Sequence, residues 1–250
     1  MEYLVIFLIC TISGFLTGLL SIGGGIIIVP LFLSVLPIFG IELSLHEVIG
    51  VSTTCVLLNS SVTAFYRRHE QKLPLRTMLP LIISIIIGTL AGAYLSDFAP
   101  KNVILSIYVV VCLLSLYLIN REIYINLKEK NLYSLMYIIF AAIGAISASI
   151  GIGGAIFFVT ALKCFMGKDT KELLPTITIL VLCHAFFAFA GKFTLGHVPL
   201  FVIPIAFVAS LIGSRIGVNI SKKLSSRVLN ILLSLILLWG LIKIIFEMFD

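Results

Sequence analysis

The sequence predicts an all-α integral membrane protein of about ten transmembrane segments, arranged as two inverted five-helix repeats with glycine-broken helices. Three observations predict it. Of 250 residues, 60% are hydrophobic and only 11% are charged, less than half of the roughly 25% charge that coats a soluble domain, and mean hydropathy is +1.22. Charge-free stretches come in lengths suited to a hydrocarbon core, which needs about 20 apolar residues as helix. Glycines, prolines and a glutamate of the first half return in the second at fixed offsets. This composition excludes large extramembrane domains, nucleic-acid platforms and soluble active sites.

The spans follow in order. Residues 3 to 41 carry no charge, about 58 Å of helix, enough for two crossings folded at Gly23, Gly24 and Gly25. Single spans are expected at 48 to 66, 77 to 96 and 102 to 120. A charged linker runs from Arg121 to Lys130. Residues 131 to 162 are again charge-free and are interrupted by Gly151, Gly153 and Gly154. Spans at 173 to 191, 193 to 214 and 228 to 246 complete ten, with Lys243 able to snorkel outward. The N-terminus carries Glu2 rather than a basic segment, so the first apolar run is expected to be a membrane helix and not a removable signal.

The repeat is legible in the letters. Gly14, Ile22, Gly23, Gly24, Ile26 and Val29 recur as Gly144, Ile152, Gly153, Gly154, Ile156 and Val159 at an offset of 130. Further on, Glu47, Thr53, Pro74, Leu75, Gly88, Gly92 and Ser96 recur as Glu172, Thr178, Pro199, Leu200, Gly213, Gly217 and Ser221 at 125. A five-residue deletion in the first connecting loop of the second half accounts for the change. The expected organisation is a first membrane repeat over 1–120, a cytoplasmic linker over 121–130 and a second membrane repeat over 131–250, forming one structural unit.

Five helices per repeat is an odd number, so the halves should lie in opposite orientations, and charge tests this. With ten crossings, fourteen of the seventeen lysines and arginines fall on one side, and only Lys101, Lys192 and Lys243 fall opposite, as the positive-inside tendency requires. If the second and seventh segments did not cross, the split would be nine to eight. Ten crossings with both termini outside are therefore expected. The net charge of +6 reads as loops facing anionic lipid and cytoplasm, not nucleic acid. Cys10, Cys55, Cys112, Cys164 and Cys183 are scattered through apolar runs with no Cys-x-x-Cys pair, so neither a disulfide framework nor a metal site is expected.

The block from Gly14 to Pro30, with Gly18, Gly23, Gly24 and Gly25 inside it, resembles the signature of the TauE/SafE sulfite exporter family, also called the toluene-sulfonate uptake permease family. Gly144 to Thr160 is similar to its degenerate second copy. Gly50, Ser52, Thr53 and Thr54, followed by His69, resemble the third-helix segment and its loop. Ala155 and Thr160 depart from the pattern, which often has glycine and proline there. The resemblance implies a multi-pass permease of the inner (cell) membrane for sulfur-containing or other small organic anions, such as sulfite, thiosulfate or sulfonates. It leaves the particular anion and the direction open.

The glycines also have a chemical reading of their own. A helix that begins inside the layer presents unpaired backbone N–H groups and a partial positive charge, and glycine lets an oxyanion approach closely; turning or packing of two helices is the alternative. The pairs Gly14/Gly18, Gly88/Gly92 and Gly213/Gly217 have the four-residue spacing of helix-packing surfaces. Asn59 and His184 lie mid-span at the 125 offset and need a partner or a watery cavity. Ser52, Asn59 and Thr63 share one helix face, and Thr176, Thr178 and His184 occupy the eighth span. The expected substrate-binding residues are Ser21, Gly23, Gly24, Gly25, Ser52, Thr53, Asn59, Gly153, Gly154, Thr178 and His184. Stretch 131 to 162 is about 48 Å as helix, short for two crossings, so its break should be drawn inward, and by symmetry the first break too. The anion should then sit where the two helix N-termini converge near Asn59 and His184, so that Gly24→Val or Gly154→Val abolishes anion binding without abolishing assembly, whereas Gly88→Val spares binding and weakens folding.

No Asp or Glu lies inside an expected span. Glu47 and Glu172 sit at span ends, where capping or a gate suits them equally, and His184 is the mid-membrane group whose ordinary pKa, about 6.5, fits a proton carrier. Arg215 should snorkel to lipid phosphate or, as the alternative, attract anions to the cytoplasmic mouth; His69 should be solvated, and His46 and His197 show no evident role. No catalytic or metal-binding residue and no cofactor is expected. Partners are a small anionic substrate and membrane lipid, with no nucleic acid, and a homo-oligomer is compatible with the chain. The alternative to a secondary transporter is a non-transporting membrane subunit or an intramembrane enzyme.

Overall fold

The computed structural model describes residues 2–41, 43–119 and 130–249; most of the charged linker lies outside the described residues. Among the described residues ten α-helices follow one another: α1 (Glu2–Leu20), α2 (Gly25–Val35), α3 (Leu45–Tyr66), α4 (Leu75–Leu95), α5 (Lys101–Ile119), α6 (Lys130–Ile150), α7 (Ala155–Met166), α8 (Thr170–Thr194), α9 (Val202–Ser221) and α10 (Ser226–Phe249). Short 3-10 turns follow α2 and α4. Seven of the helices are long and apolar enough to cross a membrane, and three shorter apolar stretches, Gly25–Val35, Lys101–Tyr117 and Ala155–Met166, lie between them. Ile87, Val110, Phe186 and Leu235 are exposed on the outside, whereas Ser52, Asn59, Thr178 and His184 are buried. That inversion is what a lipid solvent selects, since polar groups must find partners within the protein.

Two layer ends are defined by contacts. At one, Asp97 meets His197 and Lys192; at the other, Arg67 donates to the Gly18 carbonyl and to Ser221. Helix α1 runs from the Asp97 end, where Tyr3 meets Phe201, to the Arg67 end. It lies parallel to α9, because Gly14 faces Ser210 and Gly18 faces Ser214 and Val218. Helices α4 and α6 run parallel in the opposite sense, with Gly88 against Ala141 and Gly92 against Ala145. A β-carbon at Gly18, Gly88, Gly92, Gly213 or Gly217 would enter the backbone of the facing helix, so these glycines do what their spacing predicts. Between the two pairs, α3 and α8 pass each other antiparallel: Gly50 backs onto His197 at one end, and Thr176 accepts from the Leu73 N–H at the other.

Helices α2 and α7 are short, 11 and 12 residues, about 16 and 18 Å. Neither spans a core about 30 Å thick as regular helix. Each starts well inside the layer: Gly23 and Gly153 both back onto Val56, the middle of α3. Both helices begin after a glycine in the left-handed region, Gly24 at φ 77° and Gly154 at φ 66°. In α2, Pro30 has no N–H for the Ile26 carbonyl, and the buried Tyr108 hydroxyl donates to that oxygen instead, at 3.3 Å. The matching position of α7 is Thr160, whose hydroxyl bonds back to Ile156.

Several boundaries differ from the sequence reading. The expected spans 173–191 and 193–214 stand as Thr170–Thr194 and Val202–Ser221. Lys192, expected between those two spans because charge marks span ends, lies within α8 and is completely buried. Cys10, Cys55, Cys112 and Cys164 are buried and Cys183 is partly so, all as free thiols; Cys10 and Cys55 lie with their sulfurs 3.5 Å apart.

Candidate functional site

The connections before α2 and α7 touch one another. A side chain on Gly25 would run into the backbone of Gly151 and Ile152, and β-carbons on Gly23 and Gly153 would each come within 2.8 Å of Val56 Cγ1. Val181 of α8 stands 3.3 Å from the same point on Gly23. Ser52 donates to the Gly151 carbonyl at 2.6 Å, and the Thr178 hydroxyl reaches Ser21 at 2.8 Å. Each connection is thus anchored by a hydroxyl of the central pair, and Ser21 itself holds φ 57°.

The two mid-span polar residues lie behind these connections. Asn59 donates to Ser13 at 3.0 Å, and a β-carbon on Gly24 would collide with Ser13. His184 contacts Thr89 at 2.6 Å through Nδ1 and Ser147 at 3.3 Å through Nε2, while a β-carbon on Gly154 would lie 2.7 Å from Ser147 Oγ. Ser147 gives its proton to the Ile143 carbonyl at 2.5 Å, so it accepts from His184 Nε2–H, and both ring nitrogens have a hydroxyl partner. The edge of His184 packs on Phe158, with ring centroids 6.0 Å apart.

The structure therefore brings Ser21, Gly23, Gly24, Gly25, Ser52, Asn59, Gly153, Gly154, Thr178 and His184 into one connected, buried region. Thr53 takes no hydrogen-bonding part in it; its hydroxyl returns to the Gly50 carbonyl of its own helix. The expectation that Gly24→Val and Gly154→Val spare assembly is overturned. Both glycines have positive φ, and both face side chains with no room to spare, so valine would strain the fold whether or not a ligand is bound.

The open space lies elsewhere. A cavity of about 630 Å³ occupies the Arg67 end, with Arg67, Lys72, Lys168, Lys171 and Lys222 on its walls beside Glu70 and Glu172. Five cations against two acids make it attractive to anions. Glu47 closes a capping box with Ser44, and Glu172 is well exposed, 4.0 Å from Lys168.

Two buried cations were missed by the sequence reading. Arg67, 3% exposed, donates to Glu70 at 2.8 Å, to the Gly18 carbonyl at 2.9 Å and to Ser221 at 2.9 Å. Lys192, 0% exposed, donates to Ser96 at 2.8 Å and to Asp97 at 3.1 Å. His197 donates from Nε2 to both Asp97 oxygens at 3.0 Å, and its ring stacks on His46 at 5.2 Å. The signal was available: Arg67 and Lys192, like Ser96 and Ser221, are 125 residues apart. It was passed over because basic residues at span ends read as topology markers. His46, Asp97 and His197 offer ligand atoms within 4.8 Å of one another, a set a divalent metal can use, but the Lys192 ammonium already supplies the positive charge on that carboxylate.

An apolar exterior, a polar interior and helices that start within the layer define a multi-pass helical membrane protein. The family model described as "Sulfite exporter TauE/SafE" matches residues 6–244, and the chain belongs to that family. It is 27% identical to "Probable membrane transporter protein MJ0441" of Methanocaldococcus jannaschii, with 94% of each chain covered. It is 20% identical to "Probable membrane transporter protein YdhB" of Bacillus subtilis, over 90% of this chain and 93% of the relative. It is 22% identical to "Probable membrane transporter protein YunE" of the same organism, over 99% and 98%. No solved structure matches this chain. The protein is a membrane transporter and not an enzyme.

Proposed function

We propose that the protein is a secondary transporter that moves small sulfur-containing or organic anions, such as sulfite, thiosulfate or sulfonates, across the cell membrane by alternating access. Residues 1–120 and 131–250 act as inverted repeats around a central site, joined by the cytoplasmic linker 121–130. The observation that carries this reading is the meeting of the two glycine connections at Val56, with Val181, 125 residues further on, also against Gly23. It is supported by the matched pairs α1/α9 and α4/α6, and by the family and its relatives. Helix N-termini of α2 and α7 would hold the anion without a charged side chain, with Ser21, Ser52, Asn59, Thr178 and His184 around it. In this conformation the centre is packed shut, and a cavity lies at the Arg67 end.

Binding is tested by the melting temperature of the detergent-purified protein against sulfite, thiosulfate, sulfoacetate, a simple carboxylate and chloride. A bound anion at about 100 times its Kd stabilises by roughly 2.7 kcal/mol. One or more sulfur anions should raise the melting temperature above chloride at equal ionic strength; no difference among the five contradicts an anion site.

Sidedness is tested by reporter fusions. A reporter after Asp250 should behave as extracytoplasmic and one inserted between Arg121 and Lys130 as cytoplasmic; the same side for both would contradict the odd-helix repeat. The acids at the helix starts should matter little. Glu47→Gln keeps an acceptor for Ser44, and Glu172 is solvated, so the double variant should change the transport rate modestly and leave any pH dependence in place.

A further inference from the structure

Arg67 and Lys192 have the same place in the two halves and the same partner. Arg67 caps the C-terminus of α3 and donates to Ser221 in α9; Lys192 lies in the last turn of α8 and donates to Ser96 after α4. Both equivalences hold at 125 residues. Each cation also has a carboxylate, but the carboxylates are not equivalent: Glu70 is three residues beyond Arg67, whereas Asp97 comes from the other half of the contact, and the position matching Asp97 is Lys222, which itself reaches Glu70 at 3.5 Å. The element common to both ends is therefore a buried cation beside a serine hydroxyl.

A buried cation is costly unless an anion accompanies it. A structural tie explains one such pair. It does not explain why two halves with different acids both keep a cation and a hydroxyl at matching positions on the central helices, one at each end of the layer. Arg67 faces the 630 Å³ cavity, and its Nε is buried without a partner among the described residues. A guanidinium or ammonium next to a hydroxyl is a seat for an oxyanion.

We propose that Arg67 with Ser221, and Lys192 with Ser96, are equivalent oxyanion seats at the two mouths of the pathway, each closed by a protein carboxylate that the arriving anion replaces. Glu70 holds the first and Asp97 the second. In the present conformation the Arg67 seat opens on the cavity, while the Lys192 seat is shut by Asp97 with His197 behind it. The proposal rests on the reading of the protein as an anion transporter, and it adds where the anion is met and what it displaces.

The test follows accessibility from the Asp97 side in proteoliposomes. The five native cysteines are replaced by alanine and a reporter is introduced as Thr53→Cys, a buried position on α3 whose hydroxyl bonds only to its own helix. An impermeant maleimide should label it slowly. The double variant Lys192→Gln/Asp97→Asn, which leaves no charge unpaired at that mouth, should label about tenfold faster, the effect of weakening closure by roughly 1.4 kcal/mol. Millimolar sulfoacetate should speed labelling of the parent relative to chloride and have no effect in Lys192→Gln. Unchanged labelling in a folded double variant, or a parent indifferent to sulfoacetate, overturns the proposal. Ser96→Ala, which removes the hydroxyl and keeps the ion pair, should weaken the sulfoacetate effect; an unaltered effect also counts against the seat. Labelling requires no net flux, so absence of transport with the labelling response intact would count against the transporter reading alone.

Discussion

Gly25→Ala should destabilise the protein by about 1–3 kcal/mol, the range for forcing volume into a packed core, and Ala155→Gly should cost no more than about 0.5–1 kcal/mol. The two positions correspond in the proposed repeat, yet their surroundings differ. Gly25 has ordinary helical φ, so its requirement is steric: one methyl would enter the carbonyl of Gly151 and the backbone of Ile152. Ala155 already carries that methyl, fully buried, in the second half. Only one of the two connections can yield at their contact, and the sequence assigns the glycine to the first. Thermal denaturation of both variants in detergent checks this. Equal effects would mean that the two connections do not meet as described.

Asp97→Ala should be the most destabilising single change at either mouth, by about 3 kcal/mol, because removal of one partner from a buried pair leaves an uncompensated charge. Lys192 is wholly buried and would retain Ser96 as its hydrogen-bond acceptor. Glu70→Ala should cost about 1 kcal/mol or less: Arg67 keeps the Gly18 carbonyl and Ser221, and its cavity admits water. Restoring neutrality with Lys192→Met/Asp97→Ala should recover most of the loss, since well-packed apolar replacements of buried ion pairs are often neutral. Melting temperatures of the four variants decide it, and an Asp97→Ala protein as stable as the parent would contradict burial of the Lys192 charge.

Much of this fold was legible because lipid imposes a simple rule. A chain with almost no charge between its loops has few ways to satisfy its backbone other than helix, and the charge-free runs gave all ten helices. The four-residue glycine pairs were legible for the same reason: small residues at that spacing let backbones approach, and α1/α9 and α4/α6 meet through them. The central region was legible through polar residues misplaced for a lipid face, Asn59 and His184 above all. Their partners were not. Ser13, Thr89 and Ser147 are ordinary letters in apolar helices, and only the tertiary arrangement places them against the mid-span pair.

Charge was the misleading signal at the mouths. A lysine was taken to end a span, yet Lys192 is inside one because Ser96 and Asp97 from another element satisfy it there. His46 and His197 likewise gain a role only when α3 and the segment before α9 bring them to Asp97. Such clusters join residues from positions 46 to 197, and no local spacing announces them. The strain at Gly24 and Gly154 was hidden as well, since positive φ belongs to the turn and not to the letter.

The central claim is transport, and flux measures it directly. Purified protein in liposomes should carry sulfite, thiosulfate or sulfoacetate down a gradient, faster than chloride and faster than protein-free vesicles. Gly25→Ala, if reconstituted, should be slower than Ala155→Gly. No flux for any of the three sulfur anions or for a simple carboxylate, with folded protein in the vesicles, would contradict the account.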